Sequence, residues 1–306
     1  MEFHNGKMKP TKTRSNRCTV NVFAICYRLI LFGPLFACFD LTAAATSAEF
    51  PADSTINQDA GRGNFIFLTI HLADQEALPF LLDTGSPITV FDKTLEPKLG
   101  KRLKTGTMRM GPTEQKCGVY SSPELYLGNT TLLTGSNVLT YDLTKAERHA
   151  TWVKHHSMYS GILGMDCLKH YCVQLDFEAE RVRFLDFNHL DAAKLGHAFP
   201  LKFQGGHIYL EHAGLLGGSN TNSLIDSGWY IDGRVEGIDL KSSRTGNLPS
   251  IVWNGDTYTN LNVQSAQNAN MLGLRFLARH LVTFDFPDMT IYLKQTSVGP
   301  LPPNKS

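Results

Sequence analysis

Two long segments of this chain carry the same patterns in the same order, and a fold made of one unit given twice is confined to architectures in which the copies bury a common core. The first runs from the alternating, β-rich Phe65-Ile66-Phe67-Leu68-Thr69-Ile70 through a polar turn at Asp74-Gln75-Glu76 into the apolar Phe80-Leu81-Leu82, and ends at Asp83-Thr84-Gly85-Ser86. The second runs from Ile208-Tyr209-Leu210-Glu211-His212 through Gly217-Gly218-Ser219-Asn220 into Ser223-Leu224-Ile225, and ends at Asp226-Ser227-Gly228-Trp229. Downstream, Leu125 to Asn129 followed by Thr130-Thr131 is matched by Ile251 to Gly255 followed by Asp256-Thr257, each a strand entering a turn. Gly161-Ile162-Leu163-Gly164-Met165 is matched by Asn270-Met271-Leu272-Gly273-Leu274. Each half then closes on a strand pair: Val173–Phe177 with Arg181–Leu185, and Leu281–Phe286 with Met289–Leu293.

Strand, Asp-Thr/Ser-Gly, strand, apolar-apolar-Gly, short helix and hairpin, given twice, resembles the aspartic protease family with its pepsin-like and retropepsin-like branches. The resemblance covers residues 62 to 296. It implies an all-β, bilobal barrel of two halves related by an approximate two-fold axis, with an N-terminal lobe over 62–198, a C-terminal lobe over 199–296 and a Pro-rich tail over 297–306. It also implies catalysis by Asp83 and Asp226, supported by Thr84, Gly85, Ser86, Ser227 and Gly228, and no cofactor. Thr84 and Ser227 would send their hydroxyls across the interface between the halves. Gly164 and Gly273 would sit where a strand packs behind each loop.

The chemistry has its own reasons for these residues. Peptide hydrolysis without a metal or covalent intermediate needs one group to take a proton from water and another to protonate the leaving side of the carbonyl. Two carboxylates in near contact do both, because they cannot both ionise and so share a proton. Asp83 and Asp226 lie 143 positions apart, so only the pairing of two homologous halves brings them together. Gly85 and Gly228 let the backbone turn tightly beside them.

Two departures from the family pattern matter. After Asp-Thr/Ser-Gly the pepsin-like branch has Ser or Thr, whose hydroxyl bonds the outer carboxylate oxygen; Ser86 fits, whereas the second half has Trp229, which either lines the cleft as a substrate contact or blocks it. The second departure is length. From Asp83 to Leu125 is 42 positions and from Asp226 to Ile251 only 25, which implies one substrate-covering hairpin, in the first half. Its tip is expected at Met108 to Glu114, with Met110, Gly111 and Pro112 as substrate contacts and a turn at Gly111-Pro112.

The first 48 residues differ from the rest. Six basic residues against Glu2 and Asp40, then the apolar Leu29–Phe39, then Ala43-Ala44-Ala45-Thr46-Ser47-Ala48, read as a secretory signal and place the protein outside the cytosol, secreted or in the cell envelope. The apolar run is about half the roughly 20 residues of a spanning helix, which speaks against an integral span in the mature chain. Leu35-Phe36-Ala37-Cys38 also resembles a bacterial lipobox, so a lipid anchor at Cys38 stays open. Residues 49–61 read as a linker or short propeptide. Without the leader, 23 basic and 26 acidic residues remain, a balance that removes the electrostatic argument for nucleic acid.

Cys117, Cys167 and Cys172 remain, so at most one internal disulfide forms and the fold rests on its core. Cys167-x-x-His170-x-Cys172 and His155-His156 are weak metal patterns without a second ligand group. Gly-x-Ser-x-Gly and His-Glu-x-x-His are absent, so serine hydrolase and zinc protease readings have no anchor. The expected activity is an exported aspartic endopeptidase acting on peptide or protein substrate. The alternative is a silent protein of the same fold that binds peptides or an envelope partner in its cleft.

Overall fold

Alternation sets the first strands. In Phe67–His71, Leu68 and Ile70 are buried while Thr69 faces out, the period of a half-buried strand. In Ala77–Leu82 the alternation gives way to three consecutive buried residues, Phe80, Leu81 and Leu82, because this strand is central: Phe67–His71 covers one edge and Gly161–Leu163 the other. The computed structural model describes residues 50–110, 113–144, 159–215, 222–240, 245–266 and 270–303. They are mostly strand, in two mixed sheets of nine and twelve strands, with short helices of three to six residues.

Both halves of the repeat are wired alike. In the first, Ala77–Leu82 runs parallel to Gly161–Leu163, which pairs antiparallel with Val90–Asp92, which runs parallel to Asn137–Tyr141, which pairs antiparallel with Thr113–Ser121. In the second, Ser223–Asp226 runs parallel to Asn270–Gly273, then antiparallel to Gly233–Glu236, parallel to Asp256–Ala266 and antiparallel to Thr245–Trp253. Each apolar-apolar-Gly strand leads directly into a one-turn helix, Met165–Leu168 and Leu274–Leu277. The turn Asn254-Gly255 has both residues at positive φ, 50° and 88°, as a two-residue hairpin between twisted strands requires.

The closing hairpins join the halves. Cys172–Asp176 and His280–Asp285 are equivalent strands, and they pair with each other antiparallel, Val173 opposite Phe284 and Leu175 opposite Val282. Buried Gln174 donates to the Thr283 hydroxyl at 2.9 Å across that seam. One apolar core, from Ile66, Leu68 and Phe80 to Ile225, Leu272 and Phe284, runs through both halves. Strand His197–Gln204 runs through the boundary expected at residue 198, linking Thr290–Gln295 to His207–Leu210.

The segment expected as a linker or propeptide contributes to the sheet. Ser54–Thr55 pairs with Arg181–Val182, and Ile56 and Ala60 are buried. Beyond Gln295, Ser297 donates its N–H to the Arg279 carbonyl and Leu301 is buried, so the start of the tail is packed. Cys117, Cys167 and Cys172 are free and buried. Burial pushes the Cys172 thiol up to about 12 and that of Cys167 higher still. The signal segment with Cys38, the His155-His156 pair and Gly217 to Asn220 lie outside the described residues. Among the described residues no helix is long and apolar enough to cross a membrane, and no group of three or more His, Cys, Asp or Glu side chains is placed to hold a metal.

Candidate active site

Each Asp-Thr/Ser-Gly sequence stands at the end of a strand, Asp83 just after Ala77–Leu82 and Asp226 as the last residue of Ser223–Asp226. The Gly85 N–H donates to Asp83 Oδ1 at 2.8 Å, and the Trp229 N–H donates to the Asp226 carbonyl at 3.1 Å. Behind each loop the next element is pinned the same way: the Met165 N–H donates to the Ser86 carbonyl at 2.8 Å, and the Leu274 N–H to the Trp229 carbonyl at 2.6 Å. At Gly164 and Gly273 an added methyl would run into the carbonyls of Ser86 and Ile88, or of Trp229 and Ile231. Both are places where strand and loop approach too closely for a side chain.

The two loops meet face to face. Thr84 presents its N–H to the Ser227 hydroxyl at 2.9 Å, and Ser227 presents its N–H to the Thr84 hydroxyl at 3.0 Å. Each hydroxyl then donates onward across the junction, Thr84 to the Ile225 carbonyl at 3.0 Å and Ser227 to the Leu82 carbonyl at 2.9 Å. Both side chains are almost fully buried. This closed four-bond arrangement satisfies every donor it buries and fixes the spacing of the residues beside it.

Those neighbours are Asp83 and Asp226, half-buried, with their carboxyl groups hydrogen-bonded to each other. A methyl on Gly85 would run into the Asp226 carboxyl, and one on Gly228 into that of Asp83, so each glycine is required by the opposite acid. Burial raises both pKa values. For Asp83 the N–H groups of Gly85 and Gly228 oppose the rise. Asp226 is driven well above the ordinary carboxylate value by burial and then by the charge of Asp83. Two carboxyls raised together and acting on each other titrate as one pair and share a proton, which gives an acid and a base side by side.

Ser86 departs from the role its position implies. Its hydroxyl donates to the Ile88 carbonyl at 2.8 Å rather than to the Asp83 carboxylate, because the turn through Pro87 brings that carbonyl within reach. Trp229 stands in the second half where Ser86 stands in the first. It is half-buried, packs tilted against Tyr230 with centroids 6.0 Å apart, and its Nε1 is buried without a hydrogen-bond partner among the described residues.

The long first-half hairpin is formed by Lys104–Met110 and Thr113–Ser121, with Met110 opposite Thr113. Gly111 and Pro112, expected as the turn and as substrate contacts, lie outside the described residues. Met108 and Met110 are half-buried against the apolar core, while Lys104 and Arg109 point to solvent.

Several residues around the site gave no signal in the sequence alone. Thr89 donates to Asp166 at 2.7 Å, and its Oγ1 accepts the Gly164 N–H at 3.3 Å. The matching place in the second half is an ion pair, Asp232 with Arg275, extended by Arg279, whose Nη2 donates to Asp232 at 2.7 Å. Arg234, on the strand after the second loop, is the cation whose charge opposes the rise at Asp226. Aligning the repeat through the strand pairing would have drawn attention to each of them.

No family model matches the chain, and no curated protein matches it.

Proposed function

We propose that this protein is an exported aspartic endopeptidase with the bilobal fold of the pepsin-like and retropepsin-like enzymes, hydrolysing peptide bonds with water activated between Asp83 and Asp226. The observation that carries the proposal is the pair of hydrogen-bonded carboxyls held at the junction of two equivalently wired halves, each with a glycine of one loop against the acid of the other. The ionised carboxyl of the pair takes a proton from water as the water oxygen attacks the carbonyl carbon, while the protonated one donates to the carbonyl oxygen. The proton taken from water then passes to the leaving nitrogen as the C–N bond breaks, and a diol hydroxyl returns a proton to the other carboxyl. Thr84 and Ser227 do no chemistry; their reciprocal bonds hold the two acids at working distance.

The substrate lies extended across the junction, giving main-chain hydrogen bonds to strand edges and side chains to apolar pockets. The hairpin Lys104–Ser121 covers it from the first half, with Met108 and Met110 on its inner face. Export rests on the basic, apolar and small-residue order of residues 1–48. Incubating the purified protein with a denatured protein mixture between about pH 3 and pH 7 tests the activity. Cleavage is expected from the natural sequence and not from Asp83→Asn, and identical patterns from the two would refute it.

One observation favours a second reading, a silent peptide-binding protein. Trp229 stands where the first half has Ser86, and an indole there is large enough to fill the space a substrate needs.

A further inference from the structure

Strand pairing decides which side chains share a face with Asp226. Asp226 and Leu224 lie two apart on one strand and so point the same way. Leu224 is opposite Met271, Met271 is opposite Arg234, and Arg234 is opposite Gln264. The intervening residues Ile225, Leu272, Val235 and Val263 point to the other side, where all are buried in the core. Arg234 therefore shares the face of the catalytic carboxyl, two strands away.

The first half has no such charge. Its matching row starts at Asp83 and Leu81 and passes through Ile162, Val90, Leu139 and Val119, apolar throughout. By strand pairing Val90, opposite Ile162, stands where Arg234 stands opposite Met271, and by count from the two acids the counterpart of Arg234 is Phe91; both are apolar and buried. Fold and packing are met by the apolar residue in one copy; the arginine needs another reason.

Its charge acts on Asp226, but no carboxylate is paired with it among the described residues. Arg275 on the neighbouring helix and Arg279 just beyond its end both pair with Asp232, while Arg234 takes part in no ion pair among the described residues. Its Nε is buried without an acceptor, and the side chain as a whole is half-buried. A donor held out of water with no partner is costly unless an incoming group completes it. The fork of a guanidinium fits a carboxylate better than any other peptide group.

We infer that Arg234 is a specificity-determining residue that binds an acidic side chain of the peptide near the scissile bond, on the second-half side of the site. The inference rests on the protease reading above and narrows its substrate class to peptides with Asp or Glu at one position. The charge of Arg234 also acts on Asp226, so a bound carboxylate of the substrate would partly cancel it.

The test is a cleavage-site profile. The purified protein is incubated with a peptide mixture from a digested proteome, and the residues flanking each cut are read by mass spectrometry for the natural sequence, Arg234→Gln, Arg234→Glu and Asp83→Asn. The expected result is enrichment of Asp and Glu at one position, lost by roughly tenfold in Arg234→Gln and replaced by Lys and Arg at that same position in Arg234→Glu. If Arg234→Glu does not fold, as read by its thermal midpoint, Arg234→Gln alone decides. A profile unchanged in Arg234→Gln, with only the rate altered, would overturn the inference and leave the protease reading standing, because the residue would then act on Asp226 alone. Cuts no more numerous in the natural sequence than in Asp83→Asn would overturn both.

Discussion

Thr84 and Ser227, 143 residues apart in sequence, are each other's acceptor: each gives its N–H to the hydroxyl of the other, at 2.9 and 3.0 Å. Neither bond can be lost alone, since each hydroxyl also donates to a carbonyl of the opposite half.

Thr84→Val keeps the shape of the side chain and removes the hydroxyl, leaving the Ser227 N–H and the Ile225 carbonyl buried without that partner. A loss of about 1–3 kcal/mol is expected for each orphaned group. Ser227→Ala does the same to the Thr84 N–H and the Leu82 carbonyl. Because the two share one arrangement, the double variant should lose less than the two single losses combined, with a coupling of about 0.5–3 kcal/mol. Urea unfolding of the four proteins checks it; strict additivity would mean that the bonds act independently.

What could be read in the sequence was what recurs within a short span. Phe80-Leu81-Leu82 before Asp83 and Ile162-Leu163 before Gly164 are apolar runs ending at a residue of special geometry, and the same runs at Ile225 and Leu272 fixed the equivalence of the halves. Asn254-Gly255 announced its turn by composition. What could not be read was set by partners distant in the chain. The Ser86 hydroxyl chose the Ile88 carbonyl over Asp83, a competition between two acceptors a few ångströms apart. Ser54–Thr55 is short and polar, and only the free edge of Arg181–Leu185 makes it a strand. Arg234 reads as an ordinary exposed charge in an alternating strand, and its neighbours come from strands some 10, 30 and 37 residues away in sequence.

The two acids make stability depend on pH in a definite direction. Both pKa values are raised in the folded protein, so between the unfolded value near 3.8 and the raised folded value the native state holds more protons than the unfolded one. Stability contributed by the protonated pair is complete below about pH 3.8 and is lost as pH rises through the folded pKa of Asp226. Asp226→Asn removes that loss. Its thermal midpoint should exceed that of the natural sequence at pH 7, and the gain should shrink as pH falls towards the unfolded carboxylate range. A gain independent of pH would mean that Asp226 is ionised in the native protein.

The two halves answer the same structural need with opposite chemistry, and their variants should differ accordingly. Asp232 is fully buried between Arg275 and Arg279, and Arg279 is itself buried, so Asp232→Asn leaves a guanidinium without its counter-charge. A loss of about 3–5 kcal/mol is expected. At the matching place Asp166 accepts the Thr89 hydroxyl on one oxygen, its other oxygen has no hydrogen-bond partner among the described residues, and burial raises its pKa. Asp166→Asn keeps an acceptor for Thr89 and removes a charge that burial disfavours, so it should change stability by less than about 1 kcal/mol at neutral pH. Equal losses from the two variants, measured by urea unfolding, would show that Asp166 carries a structural charge as Asp232 does.

Trp229 separates catalysis from silent binding, and two substitutions read different parts of it. Its Nε1 is buried with no acceptor, so Trp229→Phe removes an unsatisfied donor while keeping an aromatic ring against Tyr230. Stability should be unchanged or higher by up to about 1 kcal/mol. Trp229→Thr takes away the ring and installs the hydroxyl residue usual after this loop in the pepsin-like branch. If the indole lines the site of an active protease, Trp229→Thr keeps cleavage of a denatured protein mixture and changes the residues flanking the cuts, because the largest apolar surface beside the second loop is gone. That is the expected outcome, since the paired acids and their glycines are intact beside it. If cleavage appears only in Trp229→Thr, the indole plugs the site and the natural protein is the silent binder. A Trp229→Thr protein with unaltered rate and unaltered cut sites would place the ring in the core, where it touches neither substrate nor acids.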